Sequence, residues 1–405
     1  MKKVLVLGAP IFQVPIVKKA KQMGLFVGIV DINPDAPAFE YADQVFICSV
    51  RDKMAVLEIA KEFKPDGIVI GACDTPVMTG AFICQEMGLP GYSVDVALKA
   101  TNKVKMLEAF ESNSVMHPKF QVISKDNIND FKLSIPYPVI SKPTDSAGGR
   151  GVKIVNNEDE LGDALRFSSE AGQSGDVLVE EYMSGPEVSV EVIVVDGIPH
   201  IIQITDKITS GSPHFFEVGH SQPSILSDPV KEKIKILASK AVLAIGLENS
   251  PAHVEIIITK EGPKMVELGA RMGADCITTY LLDTSVTGIN MAKATIELAL
   301  GQKPDVSNYS NSGECVGVRF ITAQEGILDN IYNVELAEKR EGVIKIEIIG
   351  EKGKFYSKST DNSARFGYVV CKGNTTKEAL TRCQECIDMI DFKVSKKTLE
   401  TNNIV

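Results

Sequence analysis

The sequence predicts an α/β and α+β multidomain fold, and three features carry that expectation. A chain of 405 residues exceeds one ordinary hydrophobic core. Its first hundred residues alternate short apolar runs with helical patterns, which is the mark of a Rossmann-like parallel-sheet domain. From about residue 100 strands begin to follow strands, and the texture becomes α+β.

In the N-terminal part, "KVLVLG" (3–8) reads as a buried strand and 14–24 as a helix ended by Gly24. "FVGIVDI" (26–32) and "DQVFICS" are the next strands, "MAVLEIAKEF" a helix, "GIVIGA" (67–72) a strand and "TGAFICQEMG" a helix. The first turn, "GAPIFQVP", keeps Gly8 but has Pro10 and Phe12 near where a dinucleotide fingerprint places further glycines. Asp31 stands about where a ribose would be met, yet the missing glycines argue against NAD. What remains is a crevice at the carboxyl ends of the strands, suited to a small ligand.

Further on, "TNKVKMLEAF" is a helix for which Thr101 is the expected N-cap. "KFQVIS", "YPVISKP" and "GVKIVN" read as strands, "EDELGDALRFSSEA" as a helix and "DVLVEEYM" as a strand. "EVSVEVIVVDGIPHIIQIT" is a hairpin turned at Asp196–Gly197. A helix at 229–246 leads to a second hairpin, "AHVEIIITKEGPKMVELGAR". "GQKPDVSNYSNSGE" reads as a linker, followed by a smaller α+β lobe with a helix at 376–391. The expected domains are therefore 1–100, 101–305 and 311–405.

Composition narrows the function. The hydrophobic fraction of 44% and charged fraction of 24% are those of a globular protein. A formal charge of −10 argues against nucleic-acid binding, which needs a basic face. No run of about twenty apolar residues offers a membrane span. "MKKVLVLGAP" leads straight into the fold pattern and reads as a strand, not a signal peptide. The eight cysteines are scattered in apolar contexts, which suits reduced thiols in a cytoplasmic protein. Cys383 and Cys386, in "EALTRCQECIDMI", read as a packing pair on a helix, since no second pair or nearby His completes a zinc set.

The chemistry-bearing residues fall in the middle. In the hairpin 252–268, a turn that closes Thr259 opposite Pro263 sets Glu255 opposite Glu267 on one face. Two carboxylates so placed repel each other, and a divalent cation between them relieves the repulsion; magnesium, a hard ion with oxygen ligands, fits. A register one residue different sends them to opposite faces. Upstream, "SKPTDSAGGRGV" (141–152) puts Lys142 at a strand end, before Ser146, Gly148, Gly149 and Gly151. Its backbone N–H groups suit an anion, although a plain Gly-rich hairpin with Arg150 in solvent explains the same residues. "VLVEEYMSGPEVSV" offers a strand edge for a purine, with Glu187 next in line for a ribose. The polar segment 206–224 carries Lys207, His214, Glu217 and His220, a substrate-binding set or a long surface loop.

Taken in order, these pieces resemble the ATP-grasp superfamily, which includes biotin carboxylase, the large chain of carbamoyl-phosphate synthetase, glycinamide ribonucleotide synthetase and amino-acid ligases. The resemblance runs from the N-terminal domain to the C-terminal lobe and is strongest over 101–275. It implies an ATP-grasp central domain with a mobile lid at about 115–182. It also implies that Lys103 and Lys142 hold ATP phosphates and that 146–151 cover them. By the same resemblance Glu180, Glu181 and Met183 form the adenine hinge, Glu187 binds the ribose, and Glu255 and Glu267 hold magnesium, or manganese in its place. Arg271 is similar in position to an arginine that holds the reacting carboxylate or acyl phosphate. One departure stands out: "ELGAR" puts Gly269 where many members have a metal-binding Asn, and His253, on the Glu255 face, is a candidate to compensate. The implied activity is ATP-dependent joining of a small-molecule carboxylate to an amine through an acyl phosphate, on an amino acid by preference. A purine-pathway ligase is the alternative, and Gly269 also suits a nucleotide-binding regulator without turnover. Dimers are common in the family, so a homodimer is compatible.

Overall fold

The computed structural model describes residues 1–146, 149–211, 215–359, 361–362 and 364–396. Strands β1 (Lys3–Leu7), β2 (Phe26–Asp31), β3 (Gln44–Ile47) and β4 (Gly67–Val69) form a parallel sheet in the order β3-β2-β1-β4. Val4, Leu5, Val6 and Leu7 are completely buried, as a parallel strand covered on both faces requires. The strand order reverses at β1, so a crevice opens beyond the carboxyl ends of β1 and β4. The loop after β4, 72–76, lies there.

A second, antiparallel sheet follows from β5 (Phe120–Ile123), β6 (Val139–Pro143), β7 (Lys153–Val155) and β8 (Val177–Glu181), in the order β5-β8-β6-β7. Helix Glu158–Ala171, capped by Asn157, backs it. The largest sheet has eight strands. It runs from β13 (Gly262–Gly269) through β12 (Ser250–Thr259), β9 (Glu187–Val195), β10 (Ile198–Thr209) and β11 (Glu217–Gln222). It then continues through Cys315–Thr322, Arg365–Gly373 and Val343–Ile348. The β9–β10 turn is the expected one: Asp196 (φ 50°) and Gly197 (φ 73°) both take positive φ, as a two-residue hairpin turn requires.

One expectation needs correction. Thr101 does not cap the helix that follows it; it ends helix Val94–Thr101, its hydroxyl donating to the Ala97 carbonyl at 2.8 Å. Asn102, extended between two helices, caps Lys103–Ser112 by accepting from the N–H groups of Val104 (3.1 Å) and Lys105 (3.0 Å). The C-terminal residues build a three-stranded sheet of their own, from Phe355–Tyr356, Gly326–Tyr332 and Asp391–Ser395, and also extend the largest sheet, where Cys315–Thr322 pairs with β11, with Arg319 opposite Gly219. That pairing satisfies backbone groups that β11 would otherwise expose as an edge. All eight cysteines are free thiols, and Cys383 and Cys386 pack into the core under the last strands. No helix among the described residues is long and apolar enough to cross a membrane.

Candidate active site

The paired-glutamate hairpin is built by a bulge. The β12–β13 turn closes one residue tighter than the sequence suggests, with Thr259 opposite Gly262 and Ile256 opposite Met265. Regular pairing from there would set Glu255 opposite Val266 and turn Glu267 toward the core. The register instead shifts between Ile256 and Glu255, Val266 is the extra residue, and Glu255 falls opposite Glu267. Pairing with β9 extends that face, with His253 opposite Glu191, Glu255 opposite Ser189 and Ile257 opposite Glu187. Glu255 and Glu267 thus line one wall of a cavity of about 790 Å³.

Around them the site is densely ionic although the chain is acidic overall. Lys103, the first residue of its helix, donates from Nζ to Glu267 at 2.7 Å. Burial works against its charge, but Glu267 and nearby carboxylates outweigh it and raise its pKa. Its backbone N–H bonds the Thr144 carbonyl at 3.2 Å, which ties the helix start to the end of β6. Lys142, on β6, reaches Glu180 on β8 at 2.6 Å, with both side chains buried. The other Glu180 carboxylate oxygen, Oε1, is buried without a protein hydrogen bond, an acceptor left for a ligand donor. Lys207 is shared by Glu187 (2.7 Å), Glu217 (2.9 Å) and Glu255 (3.0 Å). Burial opposes its charge, yet the three carboxylates hold its pKa well above the usual lysine value. Against the same burial, Lys207 keeps Glu255 and Glu217 below the usual carboxylate range, whereas burial pushes Glu187 up.

His253 sits between Glu191 (Nδ1, 2.5 Å) and Glu255 (Nε2, 3.3 Å). Burial disfavours its charged form, but the two carboxylates win and raise its pKa to about 9. Both ring nitrogens face carboxylates, Nδ1 toward Glu191 and Nε2 toward Glu255, a setting that favours the imidazolium form. Glu191 is anchored further by the Gly273 N–H at 3.0 Å, and a Cβ at Gly273 would come within 2.4 Å of its Oε1.

The remaining expected residues divide. Ser146, Gly149, Glu181, Met183 and Glu187 line the cavity together with Lys207 and Glu217. At the end of β8 the Glu181 N–H is taken by the Lys119 carbonyl and that of Tyr182 by Pro138. The Glu181 carboxylate faces Lys264 at 3.0 Å. Gly151 turns away from the cavity: at φ +76°, a Cβ there would lie 2.5 Å from Ala171 and 2.7 Å from Pro143, so it serves close packing. His220 also leaves the expected set. It is fully buried, edge-on to Phe320 and 3.5 Å from Glu217, without a face on the cavity. Gly148 and His214 lie outside the described residues.

Two cavity-lining residues, Asp74 and Asp275, and one just outside the lining, Arg365, escaped the sequence reading. Arg271 is held by Asp74 from the loop after β4, Nε donating to Oδ1 at 2.8 Å and Nη2 to Oδ2 at 2.6 Å. A Cβ at Gly269 would stand 2.9 Å from Asp74 Oδ1 and 3.3 Å from Arg271 Cζ, so this ion pair fills the room an Asn side chain would need. Asp275 and its neighbour Cys276 both take positive φ (52° and 70°), a strained pair that aims the Asp275 carboxylate into the cavity beside Glu217. Arg365, stacked 3.6 Å from the Phe320 ring, meets Asp275 at 3.1 Å. Asp74 had a signal, its place beyond a carboxyl strand end at the sheet's switch point. Arg365 had none, because only the eight-stranded sheet brings it near.

Known proteins share parts of this sequence and its fold. Residues 135–280 match the ATP-grasp domain family, and 319–395 match the L-amino acid ligase C-terminal domain 2. Formate-dependent phosphoribosylglycinamide formyltransferase of Sulfurisphaera tokodaii is 26% identical over 406 residues, covering 96% of each chain. Among solved structures, phosphoribosylglycinamide synthetase from Anaerococcus prevotii aligns with a TM-score of 0.78 at 25% identity, covering 97% of this chain and all of the other (100%). An L-amino acid ligase from Bacillus licheniformis shares the fold with a TM-score of 0.85 at 21% identity, over 98% of this chain and 99% of the other. Residues 135–280 thus carry an ATP-grasp domain, and the chain as a whole is similar to ATP-grasp ligases. It is an enzyme of the class that forms C–N bonds.

Proposed function

We propose that the protein activates the carboxylate of an amino acid with ATP and joins it to an amine, releasing ADP and phosphate. The observation that carries this reading is the opposed Glu255–Glu267 pair set among Lys103, Lys142, Lys207 and Arg271. The paired hard oxygens fit a magnesium ion, and the unsatisfied Glu180 Oε1 fits a ligand donor. Glu255 and Glu267 would hold the metal, which supplies charge neutralisation on the triphosphate. Lys103 and Lys142 exchange their carboxylate partners for phosphate oxygens, while Ser146 and Gly149 close the loop over them. The strand end at Glu181–Met183 takes the adenine edge and Glu187 the ribose.

In the first step a substrate carboxylate oxygen attacks the γ-phosphorus, the bond to the ADP oxygen breaks, and an acyl phosphate forms beside Arg271. In the second, the amine nitrogen attacks the acyl carbon and phosphate leaves with the bridging oxygen. No protein nucleophile is required, since positioned charge carries the phosphoryl transfer. The eight free thiols suit a reducing cytoplasm. The domain match at 319–395 favours an amino acid as substrate. The relative aligned over 96% of the chain keeps a purine-pathway carboxylate–amine ligation as the second reading. ADP release is the test, measured with ATP and magnesium against the amino acids, formate and phosphoribosylglycinamide. Release that depends on an amino acid supports the first reading, and release only with the purine intermediate supports the second. No release with any carboxylate overturns both.

A further inference from the structure

We propose that Asp74 selects the carboxylate substrate by its α-ammonium group, so that Arg271 and Asp74 hold an α-amino acid by its two charged ends. The inference rests on the ligase reading above and adds the residue that sets the substrate class.

Arg271 has five N–H groups, of which Asp74 takes two and the Met272 carbonyl, at 3.1 Å from Nη1, a third. One N–H on each terminal nitrogen is left to meet a carboxylate. Asp74 is placed to match: each of its oxygens accepts one bond from Arg271 and keeps a second acceptor site. Its side chain is 34% exposed and lines the same cavity. Burial raises its pKa, but the guanidinium overrides that and keeps the carboxylate ionised. The pair is neutral as a whole and presents a positive edge next to a negative one, the charge pattern of a zwitterion.

Spacing narrows the class. An α-amino acid carries its ammonium one carbon from its carboxylate, so a carboxylate on the free Arg271 edge brings the ammonium to the adjoining Asp74. A longer spacer carries the ammonium past it. Gly269 supplies the clearance, since a Cβ there would sit 2.9 Å from Asp74 Oδ1. The loop is fixed where Asp74 needs it: the Asp74 carbonyl accepts from the Val77 N–H at 3.1 Å, in the turn that opens helix Val77–Met87. A plain strut between elements needs neither the open acceptor sites nor the cavity face.

The test compares amino acids with carboxylates of the same skeleton lacking the α-amino group: alanine with propionate, leucine with 4-methylpentanoate, glutamate with glutarate, lysine with 6-aminohexanoate. ADP release gives kcat/KM for each. In the wild type the best amino acid should exceed its deaminated partner by about 10²-fold, as a charge-assisted bond to a partly exposed carboxylate implies. Asp74→Asn should cut that ratio to within a few fold, whatever it does to either rate alone. Gly269→Ala, which crowds Asp74 but keeps its charge, should lower the ratio as well and carries the test if Asp74→Asn fails to fold. Equal use of both partners by the wild type, or a ratio that survives in the folded variants while both rates fall together, overturns the proposal and leaves the ligase reading standing. Absence of ADP release with every carboxylate overturns both.

Discussion

Lys207→Met removes the single ammonium on which three carboxylates converge. Its Nζ lies 2.7 Å from Glu187, 2.9 Å from Glu217 and 3.0 Å from Glu255, and its side chain is only 4% exposed. Breaking one buried ion pair costs about 3–5 kcal/mol, mostly through the charge left unpaired, and here three carboxylates face the gap. The deficit should therefore lie at the upper end of that range in nucleotide-free protein near pH 8. Its pH dependence has a definite sign. In the wild type Glu217 and Glu255 are held below their unfolded values, so their stabilisation is full above about pH 4.3 and is lost as pH falls through the folded values. In the variant the crowded carboxylates shift upward instead, the folded state binds extra protons, and the deficit shrinks on acidification to about pH 5. Urea unfolding followed by circular dichroism at pH 5 and pH 8 measures both. A deficit under about 1 kcal/mol at pH 8, or the same deficit at both pH values, refutes the idea that Lys207 is the charge that holds this wall together.

Three further outcomes are expected. Lys142→Met alone should destabilise by stranding the Glu180 carboxylate, whereas Lys142→Met with Glu180→Gln should recover the stability; ADP release should fall about 10²–10³-fold in both, read from initial rates. His253, raised to about 9 from an ordinary 6.5, contributes stability that is full below about pH 6.5 and lost as pH rises through 9. The unfolding free energy from urea titrations should drop across that window by on the order of 3 kcal/mol, and His253→Asn should abolish the drop. Glu267→Gln should raise the magnesium concentration for half-maximal ADP release by about tenfold or more, since it removes one of two charged ligands. An unchanged magnesium dependence would contradict its role.

The parts of the site that were legible in the sequence are those carried by local pattern. The parallel sheet showed in runs such as "KVLVLG" because strands buried on both faces read as continuous apolar segments. Glu255 and Glu267 were found as a pair because two charges in apolar strands demand a shared reason. The turn assumed for them was one residue too wide, however, and the bulge at Val266 made up the difference. A bulge leaves no composition signal of its own. Thr101 misled because Thr and Asn both cap helices, and the choice fell to where the preceding helix ended. Asp74 escaped despite its place at the sheet's switch point, whereas Asp275 and Arg365 were invisible because they meet only through tertiary pairing across a long sequence separation. His220 shows the opposite failure: a polar residue in a promising segment that folds inward against Phe320.

The central claim is that ATP activates a carboxylate by phosphorylating it, and isotope transfer tests it most directly. The amino acid that best supports ADP release is supplied with both carboxylate oxygens as ¹⁸O, together with ATP, magnesium and an amine acceptor. The released phosphate is then analysed by mass spectrometry. One ¹⁸O in each phosphate is predicted, because the bridging oxygen of the acyl phosphate leaves with it. Unlabelled phosphate formed alongside the amide product would contradict the account.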